Sequence, residues 1–251
     1  MTLARGAALV TGAGRRIGRV LALEAARAGY DVAVHHRASA AEAEETAQAV
    51  RALGRRAVLV RGDLSIEDEV RGLIGQVGEL GPVTLLVNSA SAFEDDRVGG
   101  LSRERWDLHL ETNLRAPIVL AETFAAALPQ DRPGLVVNIV DQRVLRPNPQ
   151  FFSYSLAKAG LWWATQTLAQ ALAPRIRVNA IGPGPTLPSA HQAPGEFEAE
   201  AAGVLLQRHV SPDDIAAALR YLIDATSVTG QMIAVDGGQH LGWRTPDIVA
   251  P

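Results

Sequence analysis

"AALVTGAGRRIG", residues 7–18, carries a short apolar run straight into a glycine-rich turn and on toward a helical pattern. Ala7–Thr11 reads as a buried strand, and "RVLALEAARAG" (residues 19–29) as a helix closed by Gly29. A glycine-rich turn at that junction lets the backbone approach a pyrophosphate, and the helix N-terminus supplies N–H groups and the positive end of its dipole. A plain strand–helix connection has the same local look, so the rest of the chain must decide.

The alternation continues outward from this turn. "DVAVH" (31–35), "AVLVR" (57–61) and "TLLVNSA" (84–90) read as strands two to four, and "LVVNIV" (135–140), "RIRVNAI" (175–181) and "QMIAVD" (231–236) as strands five to seven. Between them lie an Ala/Glu-rich helix around Ala40–Leu53, a helix with Ser65 as its N-cap, and a long helical stretch from about Ser102 to Leu128. Near-continuous Val/Leu/Ile strands alternating with helices predict a parallel sheet covered on both faces. No linker or repeat divides residues 1–251, which predicts one α/β domain. The Pro/Gly-rich insert from Gly182 to about Phe197 is the irregular part, and Ser211-Pro212-Asp213-Asp214 reads as an N-cap with proline in the first turn.

Bulk composition excludes several function classes. With 47% hydrophobic and 20% charged residues the chain is an ordinary globular one, and its net charge of −3 offers no basic field for nucleic acid or anionic membrane. It has no cysteine, which removes disulfide and thiolate chemistry and fits a reducing compartment. "MTLARGAALVTGAG" has too short an apolar run for a signal peptide, and no stretch approaches the length of a membrane span. A cytoplasmic location is the default expectation. The histidines (35, 36, 109, 191, 209 and 240) have no metal-ligand spacing, so no metal is expected.

A dinucleotide site for NAD should present an acid at the end of the second strand, to hold the ribose 2′-hydroxyl. That end carries His35-His36-Arg37, while Asp31 comes too early, and Arg15 and Arg16 stand in the glycine turn. Cations without an acid suit a 2′-phosphate, so the expected cofactor is NADP(H), with Arg37 as the phosphate ligand and the histidines either strand-end polar residues or cofactor contacts. Further on, Tyr154 and Lys158 stand four residues apart, on one face of the helix expected after strand five. An ammonium beside a phenol, whose pKa starts near ~10, lowers that pKa and makes the tyrosine a usable acid or base. Thirteen positions before Tyr154 stands Asp141.

From "TGAGRRIG" to "VDGGQ" (residues 235–239) the chain resembles the short-chain dehydrogenase/reductases. The resemblance implies a Rossmann-type, doubly wound, seven-stranded parallel sheet flanked by helices. It implies that Gly12, Arg15, Arg16, Ile17 and Gly18 form the cofactor turn and that His36 and Arg37 lie beside the 2′-phosphate. Asp63 in "GDLS", with Leu64, would hold the adenine; Asn88, Ser89 and Ala90 of "NSAS" would close strand four. Asn113 in "ETNLRAP" would be structural and part of a proton relay. Tyr154 and Lys158 would be the catalytic pair, Lys158 also holding ribose, and Pro183-Gly184 would lie over the nicotinamide. A homotetramer is implied too, the tyrosine helix pairing between subunits through at least one of Trp162 and Trp163.

Three departures narrow the resemblance. Arg16 replaces the middle glycine of the turn, "NSAS" is followed by Phe93, and Asp141 stands where the catalytic serine usually is. Together they resemble the pteridine reductase branch, including bacterial dihydromonapterin-type reductases. That resemblance implies a pterin sandwiched between nicotinamide and Phe93, with Arg16 reaching both phosphates and pterin and Ser91 touching the ligand. Chemistry argues in the same direction. A carboxylate only accepts hydrogen bonds and repels the negative charge that develops on a carbonyl oxygen. Asp141 therefore either stays protonated or faces a ring rich in N–H donors, and reducing a C=N bond needs a hydride to carbon and a proton to nitrogen, through Asp141 and Tyr154.

Plainer readings stand beside these. Phe93 could be a loop anchor, Asp141 could cap a local turn while a water or Ser153 does the polar work, and Arg16 could serve only the phosphates. The functional expectation is an NADPH-dependent reductase of a dihydropterin- or folate-like C=N bond, with a mobile lid over about residues 183–207. The alternatives are a reductase of 3-oxoacyl thioesters or other carbonyls, and an NADPH-binding sensor without turnover.

Overall fold

Alternate residues of a strand face opposite sides of its sheet, and β1 (Ala7–Val10) shows the consequence at once. Ala8 and Val10 enter one hydrophobic core, Ala7 and Leu9 the other, all with no exposed surface. A strand buried on both faces has no polar side, which explains its unbroken apolar sequence. The structure is a computed structural model describing residues 5–189 and 191–244. Positions 1–4, 190 and 245–251, which belong to the domain and lid expected from sequence, lie outside the described residues.

After β1 the chain forms α1 (Arg16–Arg27), β2 (Asp31–His36), α2 (Ala40–Ala52), β3 (Ala57–Arg61), α3 (Glu67–Gln76) and β4 (Val83–Asn88). It continues with α4 (Arg103–Leu110), α5 (Ala116–Ala127), β5 (Gly134–Ile139), α6 (Phe152–Leu172), β6 (Ile176–Pro183), α7 (Glu196–Gly203), α8 (Pro212–Asp224) and β7 (Met232–Val235). All seven strands are parallel, in the order β3-β2-β1-β4-β5-β6-β7. The order reverses between β1 and β4, which opens a crevice at the carboxyl ends of the strands, where open α/β sheets take their ligands.

One core packs α1, α2 and α8 on the sheet, with Leu21, Val50 and Leu219; the other packs α3, α5 and α6, with Leu73, Phe124 and Ala169. Each fully buried leucine, such as Leu85 or Leu86, contributes roughly 1.5–3 kcal/mol relative to exposure. Helix starts follow local chemistry. Ser211 and Asp214 form a reciprocal capping box under Pro212, and the Ser102 hydroxyl accepts from the Arg105 amide. Ser65 is not the cap of α3: Ile66 holds that place, because the Ser65 amide and hydroxyl are drawn back onto Asp63 Oδ1 at 2.9 and 2.7 Å.

Two irregularities bear on the site. The helical stretch of residues 103–127 is interrupted by a π-helical turn at Glu111–Arg115, which re-aims Asn113. The insert is not wholly irregular, since α7 lies within it. Among the described residues no helix is long and apolar enough to cross a membrane.

Candidate active site

The glycine turn is fixed from two sides. Thr11 Oγ1 accepts from the amides of Ser89 at 2.9 Å and Ala90 at 3.0 Å, pinning the end of β4 to the turn. Gly12 adopts φ 65°, and a Cβ there would stand 2.9 Å from Ala90 Cα; a Cβ on Gly18 would stand 2.2 Å from the Gly12 carbonyl oxygen. Nothing larger than glycine fits this cradle. From the other side the Gly12 amide donates to His35 Nδ1 at 3.1 Å, so the imidazole proton sits on Nε2, which donates to the Gly62 carbonyl at 3.1 Å. Burial pushes His35 down from 6.5 to about 4. His35 is thus a neutral brace for the turn and not one of the cations at this strand end.

Its neighbours remain available to a ligand. His36 is buried, its pKa lowered by burial and by Arg61, and its Nδ1 has no partner among the described residues. Arg37 is largely exposed, 3.7 Å from Asp63 Oδ2. Leu64 is buried in the second core. Asn88 Nδ2 donates to Asn138 Oδ1 at 2.8 Å, Asn138 Nδ2 to Thr165 Oγ1 at 2.9 Å, and Thr165 to the Leu161 carbonyl at 2.8 Å. Asn88 Oδ1 is left without a donor among the described residues.

A cleft of about 1180 Å³ opens above the carboxyl ends of β4, β5 and β6. At its floor the Tyr154 hydroxyl donates to Asp141 Oδ2 at 2.8 Å, and the Arg143 amide donates to Oδ1 at 2.8 Å. Asp141 therefore caps a local turn and meets the tyrosine at once. Ser153, the other polar candidate, is fully buried and bonded away from the cleft. Lys158 Nζ donates to the Ile139 carbonyl at 2.8 Å and lies 5.8 Å from the Tyr154 ring centroid.

The electrostatics correct the sequence expectation. Burial, and then the adjacent Asp141 carboxylate, hold the Tyr154 phenol well above its usual 10 rather than below it. Burial also raises Asp141, against the opposing pull of the Arg143 amide and guanidinium. Burial pulls Lys158 down to about 8, against the attraction of Asp141. The ammonium is spent on a β5 carbonyl while the carboxylate touches the phenol, so the nearer charge wins.

Phe93 stands over this pair, edge-on to Tyr154 with ring centroids 4.7 Å apart. One face is stacked on Phe151 at 4.1 Å and 9°. Phe151 itself holds a left-handed conformation (φ 51°) at the start of α6, and the Arg143 guanidinium lies 5.2 Å from its ring. Asn113 does not line the cleft: its Oδ1 accepts from the Ala92 amide and its Nδ2 donates to the Ala92 carbonyl, both at 2.8 Å, so it fixes the loop that carries Phe93. Ser91 lines the cleft, its hydroxyl turned to the Ala92 carbonyl at 3.2 Å.

The insert closes over the same space. Arg16, itself left-handed at φ 53°, donates to the carbonyls of Pro188 at 3.0 Å and Leu187 at 3.3 Å. His191 Nε2 lies 2.9 Å from the Phe93 carbonyl. Arg16 is thus bonded to the insert. Gly184 packs so tightly that a Cβ would stand 2.6 Å from Asp236 Cα.

The cleft brings together Arg15, Arg16, Ile17, Ser89, Ser91, Phe93, Asp141, Tyr154, Lys158, Pro183 and Gly184. Gly12, Gly18, His36, Arg37, Asp63, Leu64, Asn88, Ala90 and Asn113 do not line it. Sequence reasoning missed Phe151, Arg143 and His191. Phe151 had a signal, an aromatic doublet just before the tyrosine, but His191 gave none that separated it from any other loop histidine.

A family model described as enoyl-(acyl carrier protein) reductase matches residues 12–240. The 3-oxoacyl-[acyl-carrier-protein] reductase FabG of Staphylococcus epidermidis is 32% identical over 240 residues, covering 93% of this chain and 98% of its own. The short-chain dehydrogenase/reductase eriH of Hericium erinaceus is 32% identical over 247 residues, covering 94% and 98%. The crystal structure of FolM alternative dihydrofolate reductase 1 from Brucella canis, complexed with NADP, is 51% identical, covers 98% of both chains and superposes with a TM-score of 0.94. With the parallel sheet, the glycine cradle and the tyrosine–lysine pair of α6 all in place, the chain belongs to the short-chain dehydrogenase/reductase family.

Proposed function

We propose that this protein is an NADPH-dependent reductase of a C=N bond in a pterin-type ring, of the pteridine reductase branch. The observation that carries the reading is the Asp141–Tyr154 hydrogen bond at the cleft floor beneath Phe93. A paired carboxyl and phenol can hold and release a proton beside a ring nitrogen, whereas a carbonyl reductase needs only donors at that point.

The residues fit the cofactor. Glycines 12 and 18 let the turn pack directly against Ala90 and its own backbone, and Arg15 lines the cleft. His36, whose Nδ1 has no partner among the described residues, and the exposed Arg37 would hold a 2′-phosphate, with Asp63 and Leu64 beside the adenine. Asn88, Ser89, Ala90, Ile17, Lys158, Pro183 and Gly184 would hold the other half. NADPH, when bound, supplies the hydride.

The chain's own groups handle the proton. Tyr154 gives it to the ring nitrogen, and Asp141 in the protonated form that burial favours returns a proton to the phenolate and is itself reprotonated from solvent in the cleft. Lys158 orients ribose and keeps a positive charge near the pair; Asn113 acts by fixing the Phe93 loop. Phe93 supplies the aromatic face, with Phe151 and Arg143 behind it, and Ser91 and Arg16 contact ligand once Arg16 leaves the insert. The described residues of 183–207 form the lid. The FolM structure, named a dihydrofolate reductase and complexed with NADP, supports the cofactor and the ring class. A homotetramer belongs to the same proposal, supported by the exposed Trp163 and Leu156 on α6, as does a cytoplasmic location.

A second reading, reduction of 3-oxoacyl thioesters, is favoured by the staphylococcal relative. NADPH oxidation against a dihydropterin, dihydrofolate, an oxidised pterin and a 3-oxoacyl thioester, with NADH in parallel, separates the two. Selective turnover of a pterin or folate with NADPH supports the proposal, and turnover of the thioester alone overturns it.

A further inference from the structure

Behind the active tyrosine lies a closed chain of buried polar groups that the reaction does not use. His109, on the last turn of α4, and Ser153, next to Tyr154, have no exposed surface, and Asp96 is 3% exposed. The Glu94 amide donates to His109 Nε2 at 3.0 Å. A backbone N–H can only donate, so Nε2 is the acceptor and the ring proton sits on Nδ1, which donates to Ser153 Oγ at 2.7 Å. The Ser153 hydroxyl in turn donates to Asp96 Oδ2 in a short bond. Asp96 Oδ1 accepts from the Ser153 amide at 3.0 Å, and its carbonyl from the Phe152 amide at 3.1 Å.

Every link has one permitted direction: Glu94 to His109 to Ser153 to Asp96. The chain leaves the Phe93 loop at Glu94 and returns to it at Asp96, gripping helix α4 and the first turn of α6 on the way. Phe93, one residue before the grip, is the ring that meets Tyr154. The His109 ring itself lies 6.1 Å from that of Tyr154.

We infer that His109 is a positioning residue: its neutral, Nδ1-protonated form sets the Phe93 loop against Tyr154, and protonation of the imidazole releases it. An imidazolium has no lone pair for the Glu94 amide and would turn its own Nε2–H toward that N–H, donor against donor, so the loop must shift. The charged groups facing the ring are Asp96 and Glu94 from the loop, which favour the cation, and Arg105 on its own helix, which disfavours it. Burial outweighs them and lowers the pKa below 6.5, so the neutral form is held near neutrality and lost on acidification. This role rests on the proposed substrate face of Phe93, but the grip on the loop does not.

The test uses the whole purified protein and reads two things between pH 5 and 8. One is amide hydrogen exchange of the 92–97 segment, corrected for intrinsic rates; the other is KM and kcat for the dihydropterin. In the wild type, acidification should reduce protection of the segment and raise KM by on the order of 5- to 10-fold, with kcat moving less than KM beyond whatever the variant shows. His109→Gln, which still offers an acceptor to Glu94 but cannot protonate, should flatten both pH dependences. Ser153→Ala, a milder cut in the chain, should lower protection at every pH and serves if His109→Gln does not fold. Unchanged protection across the pH range in wild type, or the same acid loss in His109→Gln, overturns the inference. If no pterin is turned over, the exchange arm still decides the grip, and only the proposed substrate falls.

Discussion

Asp141 Oδ2 receives the Tyr154 hydroxyl at 2.8 Å while Oδ1 receives the Arg143 amide at 2.8 Å, so the carboxylate is aimed and occupied on both oxygens. Asp141→Ser keeps a capping oxygen but removes the second acid. Pterin turnover should fall on the order of 10²–10⁴-fold, and thioester turnover, if any exists, should rise. Steady-state kcat for both substrates checks this; undiminished pterin turnover would remove Asp141 from the relay.

Lys158 is almost wholly buried and has its pKa pulled from 10.5 to about 8. A base depressed in the folded state contributes stability above its unfolded pKa and loses it as pH falls through the folded one, so the lysine opposes folding at pH 7. Lys158→Met should therefore raise stability by up to about 3 kcal/mol at pH 7, less near pH 10, while abolishing turnover. Chemical denaturation at both pH values reads the difference.

His35 gives the same case at lower pH. Its folded pKa near 4 against 6.5 unfolded means its stabilising contribution is complete above pH 6.5 and disappears as pH falls toward 4. Unfolding free energy should drop by up to about 3 kcal/mol across that window from this residue alone. His35→Gln should show a shallower slope in urea titrations run at pH 7, 5.5 and 4.5.

Arg16 holds φ 53°, a conformation natural to glycine. Alanine normally exceeds glycine in a helix, yet here Arg16→Ala should be less stable than Arg16→Gly by about 1 kcal/mol. Both lose the guanidinium that would contact ligand after leaving Leu187 and Pro188, so both should raise substrate KM. Thermal unfolding and KM for the two variants side by side test the strain and the ligand contact separately.

Much of this was written plainly in the chain. Strands such as Ala7–Val10 and Leu85–Val87 announce themselves because burial on both faces demands unbroken apolar residues. Gly12, Gly18, Asp141, Tyr154 and Lys158 could be placed because each occupies a fixed position relative to a strand end. What depended on distant neighbours could not. The phenol's raised pKa follows from its burial and then from Asp141 beside it, Ser65 was lost as a cap to Asp63, and Phe151 on Phe93 joins residues 58 positions apart in the sequence. His35 looked like a strand-end cation because its partners, Gly12 and Gly62, belong to two other connections.

The row Asn88–Asn138–Thr165 has a consequence for assembly of the sheet. Strands β4 ("VTLLVN") and β5 ("GLVVNI") are so alike in their apolar residues that sliding one past the other by two positions preserves which side chains face each core. Hydrophobic burial alone would scarcely distinguish the slipped pairing from the native one. In the slipped pairing Asn88 and Asn138 part, and each buried amide left without its partner costs roughly 1–3 kcal/mol. A pair of asparagines at the end of two greasy strands thus sets their register, and brings the ends of β4 and β5 level beneath the cleft.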